Sequence, residues 1–182
     1  NHTSGLANYT SSNQLKWEDS MNQCLEYSLK GKLNFTPGTK YSYCNTGYVL
    51  LGLIIEKVTA RSYQQNITER IFKPCGLKSM LYCSDEKIPS NTARGYKIQS
   101  KKYKDFTQIN HSWANAAGAV LGNLTDLKKF VDCLFTGNLI DSLQLKKMIS
   151  PTKIYRDLNA DGMEWFYHAV GLCWDLNLDK SG

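Results

Sequence analysis

The apolar run from Gly47 to Thr59 constrains the fold more than any other segment of the chain. Apolar residues occupy nearly every position, a pattern typical of a central core helix that is buried on most sides. The run is too short to span a bilayer, because a membrane-spanning helix needs about 18 or more apolar residues. Asn45 or Thr46 is expected to cap its N-terminus.

The triplet Tyr43-Cys44-Asn45 stands at the start of this run, where a helix offers unpaired N–H groups and a partial positive charge. Tyr43 supplies a phenol that can transfer a proton, and Asn45 supplies an amide that can both donate and accept hydrogen bonds. Together they suggest acyl-transfer chemistry. The alternative for Tyr43 is a core tyrosine beneath a turn. Cys44 is expected to pack in the core, because no nearby histidine is evident to activate a thiolate.

Length and composition allow one globular domain, or one domain plus an appendage, since the 182 residues are 42% hydrophobic. The net charge of +6 comes mostly from scattered lysines, with a denser patch at Lys101, Lys102 and Lys104. No basic helix or basic-aromatic motif accompanies the patch. It therefore predicts a solvated loop and no nucleic-acid partner.

The six cysteines show neither a C-x-x-C pair nor a paired metal spacing, so we expect no zinc site. Four of them lie among apolar or aromatic residues, where a thiol behaves as a small buried hydrophobe: Cys24, Cys44, Cys133 and Cys173. A disulfide such as Cys75 to Cys83 stays open, because spacing alone cannot decide it.

Periodicity and capping signals predict the remaining elements. The helices are Trp17–Lys30, Ser62–Phe72, a helix capped by Thr125 that runs through Phe135, and Ser142–Ile149; the strands are a short one around 93–98 and one at 168–176. The small residues from Ala116 to Ala119 permit close backbone approach.

Five blocks of sequence, in their order along the chain, carry a family resemblance. They are residues 1–6 (NHTSGL), 35–59, 70–77 (RIFKPCGL), 117–130 and 170–174 (VGLCW). They resemble the serine beta-lactamase and D-alanyl-D-alanine carboxypeptidase superfamily, specifically its class C-like branch, which also includes esterases. The resemblance implies an α+β fold, of which this chain is mostly the helical subdomain plus the start of the returning antiparallel sheet.

The resemblance also implies a mechanism, in which a serine from an S-x-x-K motif attacks a carbonyl and forms an acyl-enzyme. Tyr43 would be the catalytic base that shuttles the serine's proton, although a phenol with an ordinary pKa of about 10 needs a neighbouring cation for that role. Asn45 would hold a substrate amide or the motif lysine. Trp113 either contacts the substrate or packs in the core.

The resemblance gives neither His2 nor His111 the role of a base. We expect His2 to brace the turn at Thr3-Ser4-Gly5. The resemblance implies no cofactor and no metal.

The S-x-x-K motif is expected ahead of Asn1, so that residues 1–182 form a partial domain without the nucleophile. Residues 84–87 and 150–153 also fit S-x-x-K, but we interpret both matches as chance. Lys180-Ser181-Gly182 is either the family's third motif or, as we favour, a turn. Residues 1–165 are expected to be mainly helical and 166–182 to form the first returning strand. The chain alone is expected to form no acyl-enzyme with a penicillin or fluorophosphonate probe.

The sequence thus predicts a serine hydrolase of the penicillin-recognising type, acting on D-Ala-D-Ala peptides, beta-lactams or small esters in a periplasmic or secreted location. The partner is a small-molecule or peptidoglycan-peptide substrate, and the oligomeric state is open. Two alternatives are a catalytically inactive relative that serves as a cell-wall-binding or assembly module, and a hydrolase fold recruited for self-assembly.

Overall fold

The computed structural model describes residues 2–11, 19–83, 88–107, 111–150, 153–158, 164–170 and 175–177. The helices are α1 (Met21–Leu29), α2 (Asn45–Thr59), α3 (Tyr63–Ile67), α4 (Leu124–Phe135) and α5 (Ser142–Ile149). The strands are β1 (Leu81–Tyr82), β2 (Tyr96–Gln99), β3 (Lys102–Asp105), β4 (Val120–Leu121), β5 (Lys153–Leu158), β6 (Glu164–Val170) and β7 (Asp175–Asn177). Helices together with antiparallel strands make an α+β architecture, as predicted. None of the described helices is long and apolar enough to cross a bilayer.

Helix α2 begins at Asn45 because Cys44 has an extended backbone, and it ends where Ala60 adopts a left-handed conformation with φ of 52°. The predicted side-chain cap from Asn45 or Thr46 is wrong, since both residues lie inside the helix. The prediction of burial on most sides is also wrong. Val49 is buried, whereas Val58 on the opposite side is 79% exposed.

The buried face of α2 contacts the 3₁₀ helix Ser112–Ala117 at close range. A Cβ built on Gly52 would lie 2.7 Å from the Cβ of Ala116, so only glycine fits at this crossing. The close approach expected from the small residues at 116–119 is therefore confirmed.

Helix α1 starts at Met21, because Ser20 and Gln23 form a capping box. It is the predicted helix of residues 17–30, and Trp17 lies outside the described residues. Its inward residues Cys24 and Leu25 join one hydrophobic cluster with Tyr9 and Val49.

The predicted helix at 62–72 is confirmed in extent but changes type within its length. Ser62 and Gln65 form a second capping box, α3 follows, and residues Thr68–Phe72 continue as a π-helix. Ile67 forms a second cluster with Tyr82 of β1 and Ala119.

Strands β2 and β3 form an antiparallel hairpin with the register Tyr96↔Asp105 to Gln99↔Lys102. The sequence predicted only the first of these strands. It missed β3 because the residues from Lys102 to Asp105 show no run of apolar residues.

Helix α4 is capped by Asn123, whose Oδ1 accepts from the N–H of Asp126 at 2.8 Å, so the prediction of Thr125 as the cap is wrong. The helical periodicity of the sequence predicts that Leu127, Val131 and Leu134 face the core; Leu134 is buried, whereas Leu127 and Val131 are exposed. Helix α5 matches its prediction, with Asp141 as its cap.

The predicted single strand at 168–176 is wrong, because β6 ends at Val170 and β7 begins at Asp175. The two strands run antiparallel, with His168 paired to Asn177, and β5 flanks β6 on its other side. The described strands of this sheet thus begin at Lys153, ahead of the boundary expected at residue 165. Residues Lys180-Ser181-Gly182 lie outside the described residues.

One disulfide joins Cys75, after the π-helix, to Cys133 of α4, across a sequence separation of 58 residues. The candidate pair Cys75–Cys83 and the expectation of a Cys133 thiol are therefore wrong. Two segments distant in sequence meet at this bond.

Cys24, Cys44 and Cys83 are buried thiols, and burial raises the pKa of Cys24 to about 11.

Helix α4 is also attached to the loop before β1 through the buried carboxylate of Asp126. The N–H and the hydroxyl of Ser79 donate to its Oδ2 at 2.6 and 2.7 Å, and Lys129 donates to Oδ1 at 2.9 Å. The Ser79 N–H bond, followed by the bonds from Lys129 and the Ser79 hydroxyl, lowers the pKa of Asp126 to about 2.

We expect the double variant Cys75→Ser, Cys133→Ser to be less stable by about 4 kcal/mol, the loop-closure entropy of a cross-link over this separation. Guanidinium denaturation with and without reductant measures the loss. Reductant should destabilise the wild-type chain and leave the double variant unchanged. Equal midpoints for the oxidised wild type and the variant would contradict the assignment.

We expect Asp126→Asn to be destabilising at neutral pH and progressively less so in acid. The folded pKa of Asp126 lies below its ordinary value of 3.8, so its stabilising contribution is present above about pH 4 and is lost as the pH falls towards about 2. Urea denaturation between pH 7 and pH 2 tests this. The control is Asp132→Asn on the same helix, whose exposed pair with Lys128 should contribute little at any pH. A loss of stability in Asp126→Asn that stays the same from pH 7 to pH 2 would contradict the prediction.

Candidate active site

Tyr43 and Asn45 meet at the N-terminus of α2, on opposite sides of the extended residue Cys44. The Tyr43 hydroxyl donates to the Asn45 Oδ1 at 2.9 Å. The Tyr43 side chain is 56% exposed, so it is not the core tyrosine of the alternative interpretation. The pair therefore presents a phenol and an amide to an accessible surface at the positive end of a helix.

The N-terminal segment holds Asn45 in place. Asn8 accepts from the Asn45 N–H through its Oδ1 at 3.1 Å, which satisfies the first N–H of α2 from outside the helix. The Asn45 Nδ2 lies 3.5 Å from the Thr10 hydroxyl. Asn8 and Thr10 were not predicted as site residues, because no local spacing links them to Asn45, which lies 37 and 35 positions later.

His2 contacts Tyr43 and Cys44, the first two residues of the triplet. Its Nδ1 accepts from the Cys44 N–H at 3.0 Å, and its backbone carbonyl accepts from the Ser42 N–H at 3.0 Å. The imidazole lies against the Tyr43 ring with a centroid distance of 4.5 Å. His2 thus braces the segment that carries Tyr43, whereas the sequence placed its contacts at the turn Thr3-Ser4-Gly5.

The His2 ring is enclosed by two further tyrosines, Tyr41 at 5.7 Å and Tyr48 at 5.1 Å between centroids. The residue adopts φ of 56°, in the left-handed region that few residues with a side chain occupy. Its backbone conformation and its contacts together set the position of the Tyr43 ring.

Cys44 is buried, with its Sγ 3.8 Å from the Ala7 carbonyl. The predicted packing role of this thiol is confirmed by its burial, although the premise that no histidine lies nearby is wrong, because His2 accepts from the Cys44 N–H. The Cys44 side chain therefore faces the protein interior, whereas the side chain of the neighbouring Tyr43 is exposed.

Trp113 packs against the core cluster that contains Tyr9 and Val49. Its ring makes an edge contact with Tyr9 at 5.9 Å, and its carbonyl accepts from the Tyr9 hydroxyl at 3.1 Å. Burial raises the pKa of Tyr9, so this phenol stays a donor. The contacts favour core packing, and substrate contact by Trp113 stays a prediction.

The arrangement can accept and relay a proton at the Tyr43 oxygen and can bind a carbonyl or amide through Asn45. Within the described ranges, no cluster of three or more histidine, cysteine or acidic side chains could hold a metal ion.

The curated proteins that this chain is similar to include penicillin-binding proteins and D-aminopeptidases. Penicillin-binding protein 4* of Bacillus subtilis is 29% identical over 91% of this chain and 41% of its own length. A D-aminopeptidase of Cereibacter sphaeroides is 38% identical over 35% of the chain and 12% of its own length. The chain spans about two fifths of the length of the Bacillus relative.

Solved structures of similar proteins share the fold of this chain. The D-amino acid amidase of Ochrobactrum anthropi SV3, complexed with D-phenylalanine, superposes with a TM-score of 0.78 at 26% identity, covering 100% of this chain and 54% of that protein. The D-stereospecific amidohydrolase of a Streptomyces species gives 0.77 at 26% identity, covering 90% of this chain and 57% of that protein. The family model described as Beta-lactamase matches residues 1–182. Because the family model matches residues 1–182 and the fold agrees with these solved structures, the chain belongs to the beta-lactamase family.

Proposed function

We propose that the protein containing this chain is a serine hydrolase of the penicillin-recognising type, which transfers acyl groups through a serine acyl-enzyme. The observation that carries the proposal is the exposed Tyr43 hydroxyl bonded to the Asn45 amide at the start of α2. The nucleophile is the serine of the family's S-x-x-K motif. Residues 1–182 by themselves are inactive in this proposal.

Tyr43 is the base that takes the proton of the serine hydroxyl and returns it to the leaving group. Asn45 holds the substrate amide or the motif lysine, since its side chain offers one acceptor and two N–H donors. The hydrogen bond that the Asn45 N–H donates to the Asn8 side chain orients the whole corner. Trp113 is a weaker candidate for substrate contact.

The substrate is a small carbonyl compound: a D-Ala-D-Ala peptide, a beta-lactam or a small ester. The names of the relatives, which include D-aminopeptidases, a D-amino acid amidase and penicillin-binding proteins, support an amide with a D-configured centre. A periplasmic or secreted location is supported by the Cys75–Cys133 disulfide, because such bonds persist in oxidising compartments.

We expect Tyr43→Phe to slow acylation by about 100- to 10,000-fold, the usual contribution of a general base. The measurement is the rate of labelling by a fluorescent penicillin, together with hydrolysis of D-aminoacyl amides, in a protein that carries the family's serine and lysine along with residues 1–182. The control is Tyr27→Phe, which removes a phenol that is bonded to Asp19 on α1.

Labelling of Tyr43→Phe at the wild-type rate would contradict the role of Tyr43. Absence of labelling and hydrolysis in the wild-type protein, with binding to peptidoglycan, would instead favour the inactive cell-wall-binding module.

We expect His2 to act as a positioning residue for Tyr43, testable by comparing His2→Asn with His2→Ala. Asparagine tolerates the left-handed backbone and can accept from the Cys44 N–H, whereas alanine cannot accept. His2→Ala should lower kcat about 10-fold or more with little change in KM, because a misplaced base weakens the transition state more than substrate binding. His2→Asn should retain most of the wild-type kcat.

Rescue by His2→Asn separates this role from a purely structural one, because only the alanine variant loses the acceptor for the Cys44 N–H. Equal kcat values for His2→Ala and His2→Asn would refute the positioning role.

A further inference from the structure

The hairpin of β2 and β3 is a two-stranded ribbon with both faces in solvent. Its two-residue turn, Ser100-Lys101, has φ of 51° and 62°, the left-handed pair that suits the twist of a tight hairpin. All ten residues from Tyr96 to Asp105 are exposed. An isolated ribbon of this kind is only marginally stable, so a partner on either face would stabilise it.

The register separates the side chains into two chemically different faces. Tyr96, Ile98 and Tyr103 share one face and are 58%, 66% and 80% exposed. Tyr96 and Tyr103 make an edge contact across the strands, with centroids 6.5 Å apart. This aromatic face is apolar apart from Asp105 at its base, which pairs with Arg94 at 3.4 Å.

The opposite face is basic. Lys97 and Lys104 are directly opposed, and Lys102 pairs with Gln99, with Lys101 in the adjoining turn. Like charges directly opposite each other destabilise a ribbon. No acidic residue of the hairpin lies on this lysine face, because Asp105 belongs to the aromatic face. A polyanionic partner would relieve the repulsion.

We propose that this hairpin docks the protein on the surface of an anionic lipid bilayer. Tyrosine and isoleucine side chains of the aromatic face would insert at the boundary between headgroups and acyl chains, where aromatic rings with a polar end are favoured. The long lysine side chains of the other face reach the surrounding lipid phosphates. The arrangement is the strand equivalent of an amphipathic interfacial helix.

The separation of the two faces favours a bilayer over a nucleic acid. Proteins that bind single strands place aromatic and basic side chains along the same groove, so that bases stack while phosphates are neutralised. Within β2 and β3 the tyrosines lie on one face of the ribbon and the lysines on the other. On the lysine side, Lys97 lies over the ring of Phe106, with its Nζ 5.4 Å from the ring centroid. That geometry fits a boundary between an apolar and a charged phase. The docking is independent of the hydrolase chemistry.

The test is sedimentation of the full chain with vesicles of phosphatidylcholine alone or of phosphatidylcholine and phosphatidylglycerol at 3:1. Wild type should bind the anionic vesicles, bind neutral ones weakly, and lose binding as salt rises. Each lysine near the surface contributes about fivefold to partitioning, so the double variant Lys97→Glu, Lys104→Glu should bind at least 25-fold more weakly. Ile98→Ser with Tyr103→Ser should also weaken binding.

The matched control is Lys146→Glu with Lys147→Glu, which changes the net charge equally at two exposed positions on α5. It should retain most of the binding. Equal loss in both double variants would show a non-specific charge effect and overturn the proposal. Equal binding to neutral and anionic vesicles would do the same, as would binding of single-stranded RNA by the lysine face with no binding to vesicles.

Discussion

The buried hydroxyl of Thr46 is the contact on which the candidate site depends. It donates to the Ala7 carbonyl at 2.7 Å, accepts from the Tyr9 N–H at 3.1 Å and lies 3.0 Å from the Ser28 hydroxyl. One fully buried polar atom thus connects the N-terminal segment, α1 and α2. Each of these groups would carry a desolvation cost if it were left unpaired, so the three segments are held in a single arrangement.

The geometry of the Tyr43–Asn45 pair follows from that arrangement. With α2 fixed against the N-terminal segment, Asn8 can satisfy the first N–H of the helix, and His2 can accept from Cys44. Tyr43 is then left on the outside of a corner whose inner side is packed. An exposed phenol beside an oriented amide results from burial of the residue between them.

Much of the local structure could be predicted from the sequence, since capping residues and periodicity act over a few positions. The helices α3 and α5 and the corner at Tyr43 are examples. Exposure could not be predicted in the same way. Apolar residues on α2 and α4 were expected in the core, but hydrophobicity does not specify which face meets another element, and Val58 and Leu127 lie in solvent.

The sequence by itself determined that a helix follows Tyr43-Cys44-Asn45, that the phenol and amide lie at its start, and that the chain resembles the beta-lactamase family. Only the tertiary structure decided which partners hold them. His2 and Asn8 lie 37 to 42 residues from the atoms they bond, and Cys75 bonds Cys133 at a separation of 58. Contacts at such separations arise from the packing of whole elements, and spacing along the chain does not encode them.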